Sequence, residues 1–318
     1  MKKVLGINIG GTTCSVSLGL GDENSLEILD KRSFPTYEYP LPEAALEKFA
    51  AESERIVGGR AISAVGISCG GPLDIESGVI LSPPNLPGWD RVAVCGFFEE
   101  ACNVPVFLQN DANAGAVAEW MYGAGRGAKN FIFLTFGTGL GAGLILNGRL
   151  YSGLQGMAGE IGHWRVSSFG PVGYGKAGSL EGFCSGGGIV QLAQEKLLKD
   201  SQLGFAHPLT GKEEGLTAKD VFESAREGDG LCLEVVKVVG ETFGAGLAML
   251  IDLLNPEAIV AGSIFSRGYD LLFPIVQRVV DEEALKTPAQ NCRILPSALG
   301  EEIGEMSALA TAMYSNRP

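Results

Sequence analysis

The sequence is poor in basic residues and has only two histidines. Its 24 lysines and arginines are outnumbered by 37 aspartates and glutamates, and the formal net charge is −13. This balance argues against binding to a nucleic-acid backbone or to an anionic membrane surface, because both reward clustered positive charge. It does not exclude a nucleotide that is held by backbone amides and a cation.

Long apolar runs and paired cysteines are also missing. No run reaches the ~20 residues of a membrane span, and the N-terminal MKKVLGINIGG lacks the cleavage pattern of a signal peptide. The seven cysteines are scattered and form no CxxC motif, which favours reduced thiols over disulfides. These absences predict a cytoplasmic protein.

Glycine, in contrast, is abundant. The chain has 46 glycines, about twice the ~7% share found in an average protein. Many fall in short clusters at the ends of apolar runs, where glycine lets a backbone approach another group closely. These clusters are IGGTT, SCGGP, GTGLGAG and CSGGG.

Strands and helices alternate along the chain, which at 318 residues is long enough for two modest domains. Each half opens with a strand, a Gly/Thr turn and a second strand, INIGGTTCSVSL and LTFGTGLGAGLIL, which indicates an internal duplication. Thr217 and Asp220 resemble a capping box. Helical spacing of apolar residues predicts helices that include residues 42–57, 112–122, 229–253 and 303–314.

The GTGLGAG stretch formally matches a dinucleotide-binding fingerprint across Gly137, Gly139 and Ala142. That fingerprint requires a helix to follow, whereas LIL-NG-RLY predicts a hairpin. A turn between two strands can still bind phosphate through backbone N–H groups, with hydroxyls from Thr135 and Thr138. Either Gly/Thr turn alone is also compatible with a plain hairpin. The IGGTT turn offers the same groups through Gly10, Gly11, Thr12 and Thr13.

An amide and a carboxylate, Asn110 and Asp111, lie between the apolar run VPVFL and an alanine-rich helical stretch. One interpretation is that either residue caps the helix. The other is that Asp111 accepts a proton from a substrate hydroxyl, since a carboxylate at the carboxyl end of a strand lies where ligands bind in α/β folds. Both interpretations stay open at this point.

Two carboxylates and an imidazole, Glu160, Glu181 and His163, occur in glycine-rich surroundings. Carboxylates accept several hydrogen bonds each, which suits the hydroxyls of a sugar. His163 can also be a structural histidine beside Trp164. Glu160 and Glu181 as a glycosidase pair would leave both Gly/Thr turns unexplained.

Taken in order, these stretches resemble the ROK family of sugar kinases and sugar-responsive repressors, within the actin/hexokinase-like superfamily. The matching pieces cover essentially the whole chain: INIGGTT, SCGGPLD, the loop at Asn85, QNDANA, LTFGTGLGAGLI, GEIGHW, GSLEGFCSGGG, NPEAIVAGS and SALGEEIG. The resemblance implies an α/β, two-lobed actin-like/ribonuclease H-like ATPase fold with a duplicated βββαβα unit and an interdomain cleft. It also implies a small lobe of residues 1–115 plus a C-terminal helix at about 302–318, and a large lobe of residues 116–301.

The function implied by the resemblance is ATP-dependent phosphorylation of a hexose or amino-hexose at O6, with Mg²⁺. Asp111 would be the catalytic base that deprotonates the 6-hydroxyl. Gly262 and Ser263 would lie near the adenosine, where many members have two glycines. The implied sugar contacts are Gly71, Asn85, Asn110, Glu160, His163 and Glu181. The implied ATP- and Mg²⁺-binding residues are Asn8, Gly10, Gly11, Thr12 and Thr13 at the first turn, and Thr135, Gly137, Thr138 and Gly139 at the second.

Two departures from the family pattern affect the first turn. Asn8 stands where the family normally has Asp, whose carboxylate helps to organise the hydration shell of Mg²⁺, and Thr13 stands where many members have Lys. An amide can hold a water molecule but offers no charge. These departures motivate an alternative, a catalytically weakened sugar-binding regulatory protein of the same family.

A third departure concerns zinc. Val172, Tyr174 and Ser179 occupy positions at which many members have the cysteines of a zinc site. Without thiolates we expect no structural zinc, and we expect Tyr174 and Phe169 to pack where the metal would lie.

The repressor branch carries a DNA-binding segment ahead of the first phosphate turn. Here that turn begins by residue 9, which together with the acidic charge favours a kinase that binds sugar and ATP and neither nucleic acid nor membrane. Because family members are often dimers or tetramers, the resemblance implies a homodimer or a homotetramer.

Overall fold

The computed structural model describes residues 1–205, 207–211 and 214–316. Strands and helices alternate through them. The strands are β1 (Lys2–Ile9), β2 (Thr13–Gly21), β3 (Leu26–Pro35), β4 (Val65–Cys69), β5 (Leu73–Asp74), β6 (Val79–Ile80), β7 (Val106–Asn110), β8 (Phe131–Phe136), β9 (Leu140–Leu146), β10 (Arg149–Tyr151), β11 (Val172–Gly173), β12 (Lys176–Ala177), β13 (Ala258–Ala261) and β14 (Arg293–Pro296).

The helices are α1 (Pro42–Val57), α2 (Val94–Cys102), α3 (Asp111–Tyr122), α4 (Leu180–Cys184), α5 (Gly186–Gln202), α6 (Ala218–Arg226), α7 (Gly230–Leu254), α8 (Ile264–Arg267), α9 (Tyr269–Glu283), α10 (Lys286–Asn291) and α11 (Ile303–Ser315). None of the helices within the described ranges is both long enough and apolar enough to cross a bilayer. The last two residues of the helix predicted to reach residue 318 lie outside the described residues.

Two five-stranded sheets repeat one strand order. The first sheet has the order β3-β2-β1-β4-β7, and the second has the order β10-β9-β8-β13-β14. In the first sheet β1 is antiparallel to β2 and parallel to β4, and in the second β13 and β14 are parallel. The two orders correspond strand for strand, so the internal duplication predicted from the Gly/Thr turns is confirmed.

The chain divides into two compact units. The first contains Met1–Phe133, Gly143–Gly159 and the chain from Ala298 onward, and the second contains Leu134–Ala142 and Glu160–Ser297. These units follow from contacts within the chain. The lobes implied by the resemblance are defined by ligand binding and not by contacts within the chain, so their boundaries stay a prediction.

In the first unit, β1 has a different partner on each face because its side chains alternate with a period of two residues. Leu5, Ile7 and Ile9 are buried in one apolar core. That core includes Phe34 and Phe49, whose ring centroids lie 5.0 Å apart. Helix α1 starts with proline at its first position and ends at a left-handed glycine, the usual asymmetry of helix ends.

Helix α11 packs on the other face of the first sheet, and glycines allow it to approach the strands closely. A Cβ atom on Gly6 would lie 2.9 Å from Cγ of Leu309. A Cβ atom on Gly66, in β4, would lie 2.1 Å from the carbonyl oxygen of Ala308 and 2.5 Å from the nitrogen of Ala312. The helix backbone therefore rests directly on the strand at Gly66.

The buried carboxylate of Glu119 ties α3 to the segment that leads into α11. Glu119 has no exposed surface, and its oxygens accept hydrogen bonds from the N–H of Ala124 at 2.7 Å and of Leu299 at 3.0 Å. A buried carboxyl group of this kind is tolerated because hydrogen bonds replace the lost water. The C-terminal end of α3 and the approach to α11 are thereby joined.

The second unit is built around the 25-residue helix α7. Asp229 caps its start by accepting a hydrogen bond from the N–H of Cys232 at 2.8 Å. Phe243, in this helix, packs against Phe136 and Phe265, with ring centroids 4.8 and 5.5 Å away. The capping box predicted for Thr217 and Asp220 is confirmed at the start of α6.

We predict that Gly66→Ala lowers the free energy of unfolding by about 1–3 kcal/mol, the usual range for overpacking, or by more. The added methyl group would meet backbone atoms of α11, which can move only if the helix shifts. Urea denaturation measures the loss. Gly230→Ala is the matched control, because a Cβ atom there meets no atom within 4 Å. Equal stability of the two variants would contradict the prediction.

Candidate active site

At the turn from β7 into α3, one residue caps the helix and its neighbour carries a carboxylate that the cap does not need. Asn110 is the N-cap, and its Oδ1 accepts hydrogen bonds from the N–H of Ala112 at 3.0 Å and of Asn113 at 3.4 Å. Asp111 is the first helical residue. Its Oδ1 also accepts from the N–H of Ala112, at 2.8 Å. The helix cap is therefore supplied by Asn110, and the Asp111 carboxylate is not needed for that purpose.

The electrostatic surroundings of Asp111 fit a group that accepts a proton. Solvent reaches its side chain, yet the protein atoms around it remove much of its hydration. This desolvation raises the pKa of the Asp111 carboxyl above its ordinary value, against the opposing effect of the Ala112 N–H. A base is most effective when its pKa moves toward the working pH, so the shift has the direction that a catalytic carboxylate needs.

The side-chain amide of Gln109 also stabilises this turn. The Oε1 of Gln109 accepts hydrogen bonds from the N–H of Asn110 at 2.9 Å and from Nδ2 of Asn113 at 3.2 Å. Asn113 is buried, so this pairing fixes the positions of both residues. Asn110 is held through its backbone and its Oδ1, which leaves its Nδ2 directed toward Gly71. A Cβ atom on Gly71 would lie 3.4 Å from that nitrogen.

The first Gly/Thr turn joins β1 to β2 and packs against the loop that contains Asn85. A Cβ atom on Gly11 would lie 2.7 Å from Cβ of Asn85, closer than side chains normally approach. Thr36 holds the turn through a hydrogen bond from its Oγ1 to the carbonyl of Gly10 at 2.6 Å and from its N–H to the carbonyl of Thr12 at 3.0 Å. Gly11, Thr12 and Thr13 are exposed. The structure thus brings the predicted phosphate turn and Asn85 together.

Asn8 lies at the end of β1 and faces the first turn of α11. A Cβ atom on Gly304 would lie 3.0 Å from Nδ2 of Asn8. The N-terminal end of a helix carries a partial positive charge that favours anions. A carboxylate would be stabilised at this position, whereas the amide present here brings no charge.

The second Gly/Thr turn, between β8 and β9, is closed by its own backbone. The N–H of Gly137 donates to the carbonyl of Gly139 at 3.0 Å, and the hydroxyl of Thr135 accepts from the N–H of Gly141 at 3.0 Å. Thr138 is exposed. β10 follows in a hairpin rather than a helix, so the dinucleotide fingerprint lacks the structure that it requires.

Glu181 connects α4 to this second turn. Its Oε2 accepts a hydrogen bond from the N–H of Leu140 at 2.9 Å and would lie 3.1 Å from a Cβ atom on Gly139. Glu160 directly precedes a short 3-10 turn, His163 is the last residue of that turn, and both are exposed. The structure therefore brings Glu181 to the turn at residues 137–139.

Two groups from the segment around β12 contact His163. Its carbonyl accepts a hydrogen bond from Nζ of Lys176 at 2.6 Å, and its ring meets the edge of Tyr174 with centroids 6.3 Å apart. Tyr174 and Phe169 are 66% and 77% exposed. Both side chains are largely exposed, and the expectation that they pack where the metal would lie stays a prediction. The hairpin of β11 and β12 is held by hydrogen bonds that the side chains of Ser179 and Gln191 make with its backbone.

Ser263 adopts a backbone conformation that normally requires glycine, with φ 49° and ψ −110°. Its Oγ would lie 3.5 Å from a Cβ atom on Gly137, and the N–H of Gly262 donates to the carbonyl of Leu134 at 3.0 Å. The predicted adenosine segment and the second Gly/Thr turn are therefore neighbours within the second unit.

Within the described ranges, no group of three or more His, Cys, Asp or Glu side chains is arranged to hold a metal ion. The expectation that the protein carries no structural zinc stays a prediction, which metal analysis of the purified protein would check.

Sequence reasoning missed two residues near Asp111. Gln109 belongs to the QNDANA motif but received no role, although an amide that directly precedes a predicted cap is a usable signal. Gly70 was hidden within the SCGGP cluster, where composition does not distinguish one glycine from the next. The structure places Gly70 opposite Oδ2 of Asp111, at 3.9 Å from a Cβ atom built on the glycine.

Known proteins resemble this chain over nearly its whole length. A model of the ROK family matches residues 4–314. A glucokinase of Halalkalibacterium halodurans is 34% identical over 309 residues, which cover 94% of this chain and 92% of the relative. A xylose repressor of Caldicellulosiruptor bescii is 29% identical over 282 residues, which cover 88% of this chain and 68% of the relative.

A solved structure also resembles the chain over nearly its whole length. The ROK family glucokinase from Streptomyces griseus, in complex with glucose and AMPPNP, aligns with a TM-score of 0.80 and 29% identity over 98% of this chain and 99% of that one. This likeness confirms the predicted actin-like α/β fold class. Because the family model spans nearly the whole length and a relative is 34% identical across it, the chain belongs to the ROK family.

Proposed function

We propose that this protein is an ATP-dependent sugar kinase that phosphorylates a hexose or amino-hexose at O6. The observation that carries the proposal is that different residues supply the helix cap and the free carboxylate at the start of α3. Asn110 caps the helix, and the neighbouring Asp111 keeps an exposed carboxylate with a raised pKa. The glucokinases among the relatives support the same reaction class.

In the proposed reaction, Asp111 accepts the proton of the sugar 6-hydroxyl as that oxygen attacks the γ-phosphorus of ATP. The bond from the γ-phosphorus to the β–γ bridging oxygen breaks, and ADP leaves with that oxygen. Proton acceptance by a positioned carboxylate typically contributes about 10²–10⁴-fold to the rate. Asn110 offers its Nδ2 to a sugar hydroxyl while its Oδ1 stays in the cap. Gly71, Asn85, Glu160, His163 and Glu181 are assigned to the remaining sugar hydroxyls, as proposals.

ATP is assigned to the two Gly/Thr turns, and the adenosine to Gly262 and Ser263. Backbone N–H groups and exposed threonine hydroxyls suit phosphate oxygens. Mg²⁺ commonly keeps several waters and is held largely by the phosphates of the substrate. The side-chain carbonyl oxygen of Asn8 would accept a hydrogen bond from one such water. The ion would offset the negative charge of the phosphates.

The alternative is a sugar-binding regulatory protein with weakened catalysis. Asn8 favours this alternative, because the family normally has an aspartate at this position, where the N-terminal end of α11 would stabilise its carboxylate. The repressor relative is compatible with it as well. A glycosidase pair of Glu160 and Glu181 would leave both Gly/Thr turns without a role. Cytoplasmic location and assembly into a homodimer or a homotetramer remain predictions.

A coupled ADP-release assay across a panel of hexoses and amino-hexoses tests the proposal. We predict turnover with at least one sugar, and for Asp111→Asn a loss of about 10²–10⁴ in kcat with little change in sugar affinity. The amide keeps the hydrogen bond from Ala112 but cannot accept the proton. Calorimetric sugar titration controls for binding. An Asp111→Asn variant that keeps most of its activity would contradict the role of Asp111.

The same variant has a predicted effect on stability that depends on pH. Folding raises the pKa of Asp111, so its ionised form opposes folding. This cost is absent below the ordinary pKa of 3.8 and is fully present above the raised one. We therefore expect Asp111→Asn to raise Tm at neutral pH, with a gain that shrinks as the pH falls toward about 4.

Thermal unfolding at both pH values measures this effect, and Asp22→Asn is the control. The N–H groups of Asn24 and Ser25 lower the pKa of Asp22, so its carboxylate favours folding at neutral pH and no gain is expected there. A gain for Asp111→Asn that does not change with pH would exclude the ionised carboxylate as its cause.

Asn8→Asp separates the kinase from the regulatory protein. Adding the missing carboxylate should raise kcat by about tenfold, equivalent to ~1.4 kcal/mol of transition-state stabilisation, and should leave sugar affinity unchanged. Asn24→Asp, on the exposed loop between β2 and β3, adds the same charge away from the site and should change neither quantity. Saturable sugar binding without ADP release in both the wild type and Asn8→Asp would favour the regulatory protein.

A further inference from the structure

Gly70 lies in the loop between β4 and β5 and has no evident structural reason to be glycine. It does not adopt a left-handed φ. A Cβ atom at this position would meet a single atom within 4 Å among the described residues, Oδ2 of Asp111 at 3.9 Å, which is an ordinary van der Waals distance. An alanine would therefore fit the protein at this point.

Other glycines of the same unit show what a structural requirement looks like. A Cβ atom on Gly66 would lie 2.1 Å from a backbone oxygen of α11, and Gly78 has φ +68° with a Cβ position 2.4 Å from Cys95. Glycine also costs conformational entropy on folding. At Gly70 neither a left-handed φ nor a close contact calls for glycine, and the residue lies opposite the Asp111 carboxylate; this combination indicates space for a ligand.

The hydrogen bonds of Asp111 show which oxygen faces that space. Oδ1 accepts from the N–H of Ala112 at 2.8 Å, and Oδ2 is the oxygen opposite Gly70. A hydroxyl that gives its proton to a carboxylate must approach to about 2.6–3.2 Å. A methyl group at Gly70 would lie 3.9 Å from Oδ2 and would compete with the alcohol and its carbon for the same volume.

We propose that Gly70 is a specificity-determining residue, whose missing side chain makes room for the hydroxymethyl group of the sugar at Oδ2 of Asp111. This inference rests on the proposed kinase function and deepens it. It states that the space beside Gly70 receives the CH₂ of a primary alcohol, whereas the ring hydroxyls are bound elsewhere.

Gly70→Ala tests the inference with two sugars that differ only in that group. Glucose and xylose share their ring configuration, and xylose lacks the hydroxymethyl group; mannose and lyxose form the same kind of pair if mannose binds more tightly. We expect Gly70→Ala to weaken hexose binding by about 10- to 200-fold, the range for one mismatched methyl-sized group, and to leave pentose binding unchanged. Calorimetric titration measures both affinities.

Gly96→Ala is the matched control. Gly96 lies in α2, and a Cβ atom there meets nothing within 4 Å, so the variant should bind both sugars like the wild type. Thermal unfolding of Gly70→Ala should occur at or above the wild-type Tm, because alanine restricts the unfolded chain. A clear loss of Tm would show that Gly70 is structural and would overturn the inference.

The remaining outcomes are distinct. Equal weakening of hexose and pentose, or no weakening of either, would overturn the inference while the proposed function stands. A wild type that binds no sugar in the panel would remove the proposed function, and the inference with it. Loss confined to the hexose supports the assignment whether or not the protein turns over ATP, because the measurement is of binding.

Discussion

The hydrogen bonds at the first turn of α3 are the interaction on which the candidate site depends. Every helix begins with N–H groups that lack partners within the helix, and here Asn110 satisfies two of them through one oxygen. If Asp111 were the cap, its carboxylate would be committed to the backbone and held at a low pKa. Because the preceding residue takes that task, the carboxylate can stay partly desolvated and basic. Gln109 stabilises the arrangement by holding Asn110 through its N–H.

The features that follow from local patterning could be predicted from the sequence. The strand–turn–strand openings of both halves, the bounds of α1 and the capping box of α6 all depend on neighbouring residues, and the structure has them. The division between Asn110 and Asp111 could not be predicted, because both residue types are good caps. Only the backbone conformation decides it: Asn110 is extended and Asp111 is the first helical residue.

Contacts between distant segments were also beyond the sequence. Gly11 packs against Asn85, and Glu181 binds the N–H of Leu140, across separations that no local pattern reports. The exposure of Tyr174 and Phe169 could not be predicted either, for a related reason. Aromatic character predicts burial only on average, and the direction of a side chain depends on its backbone; Tyr174 has φ 46° at the hairpin tip and projects into solvent.

The departures from the family pattern differ in physical kind, and this difference bears on function. Ser263 keeps the backbone shape of a glycine, at a cost of about 1–3 kcal/mol that persists only when the surroundings impose it. The hydrogen bond from Gly262 to Leu134 is part of that constraint. The path of the chain at the proposed adenosine segment is therefore set by its surroundings rather than by the side chain at residue 263.

Asn8, in contrast, changes charge while keeping shape. Phosphoryl transfer moves negative charge between oxygens and is sensitive to nearby charges, whereas binding of a neutral sugar depends mainly on hydrogen bonds. Neither Asn8 nor Ser263 is among the residues assigned to the sugar. Sugar recognition is therefore common to the kinase and to the regulatory protein, and the distinction between them rests on the electrostatics at the end of β1.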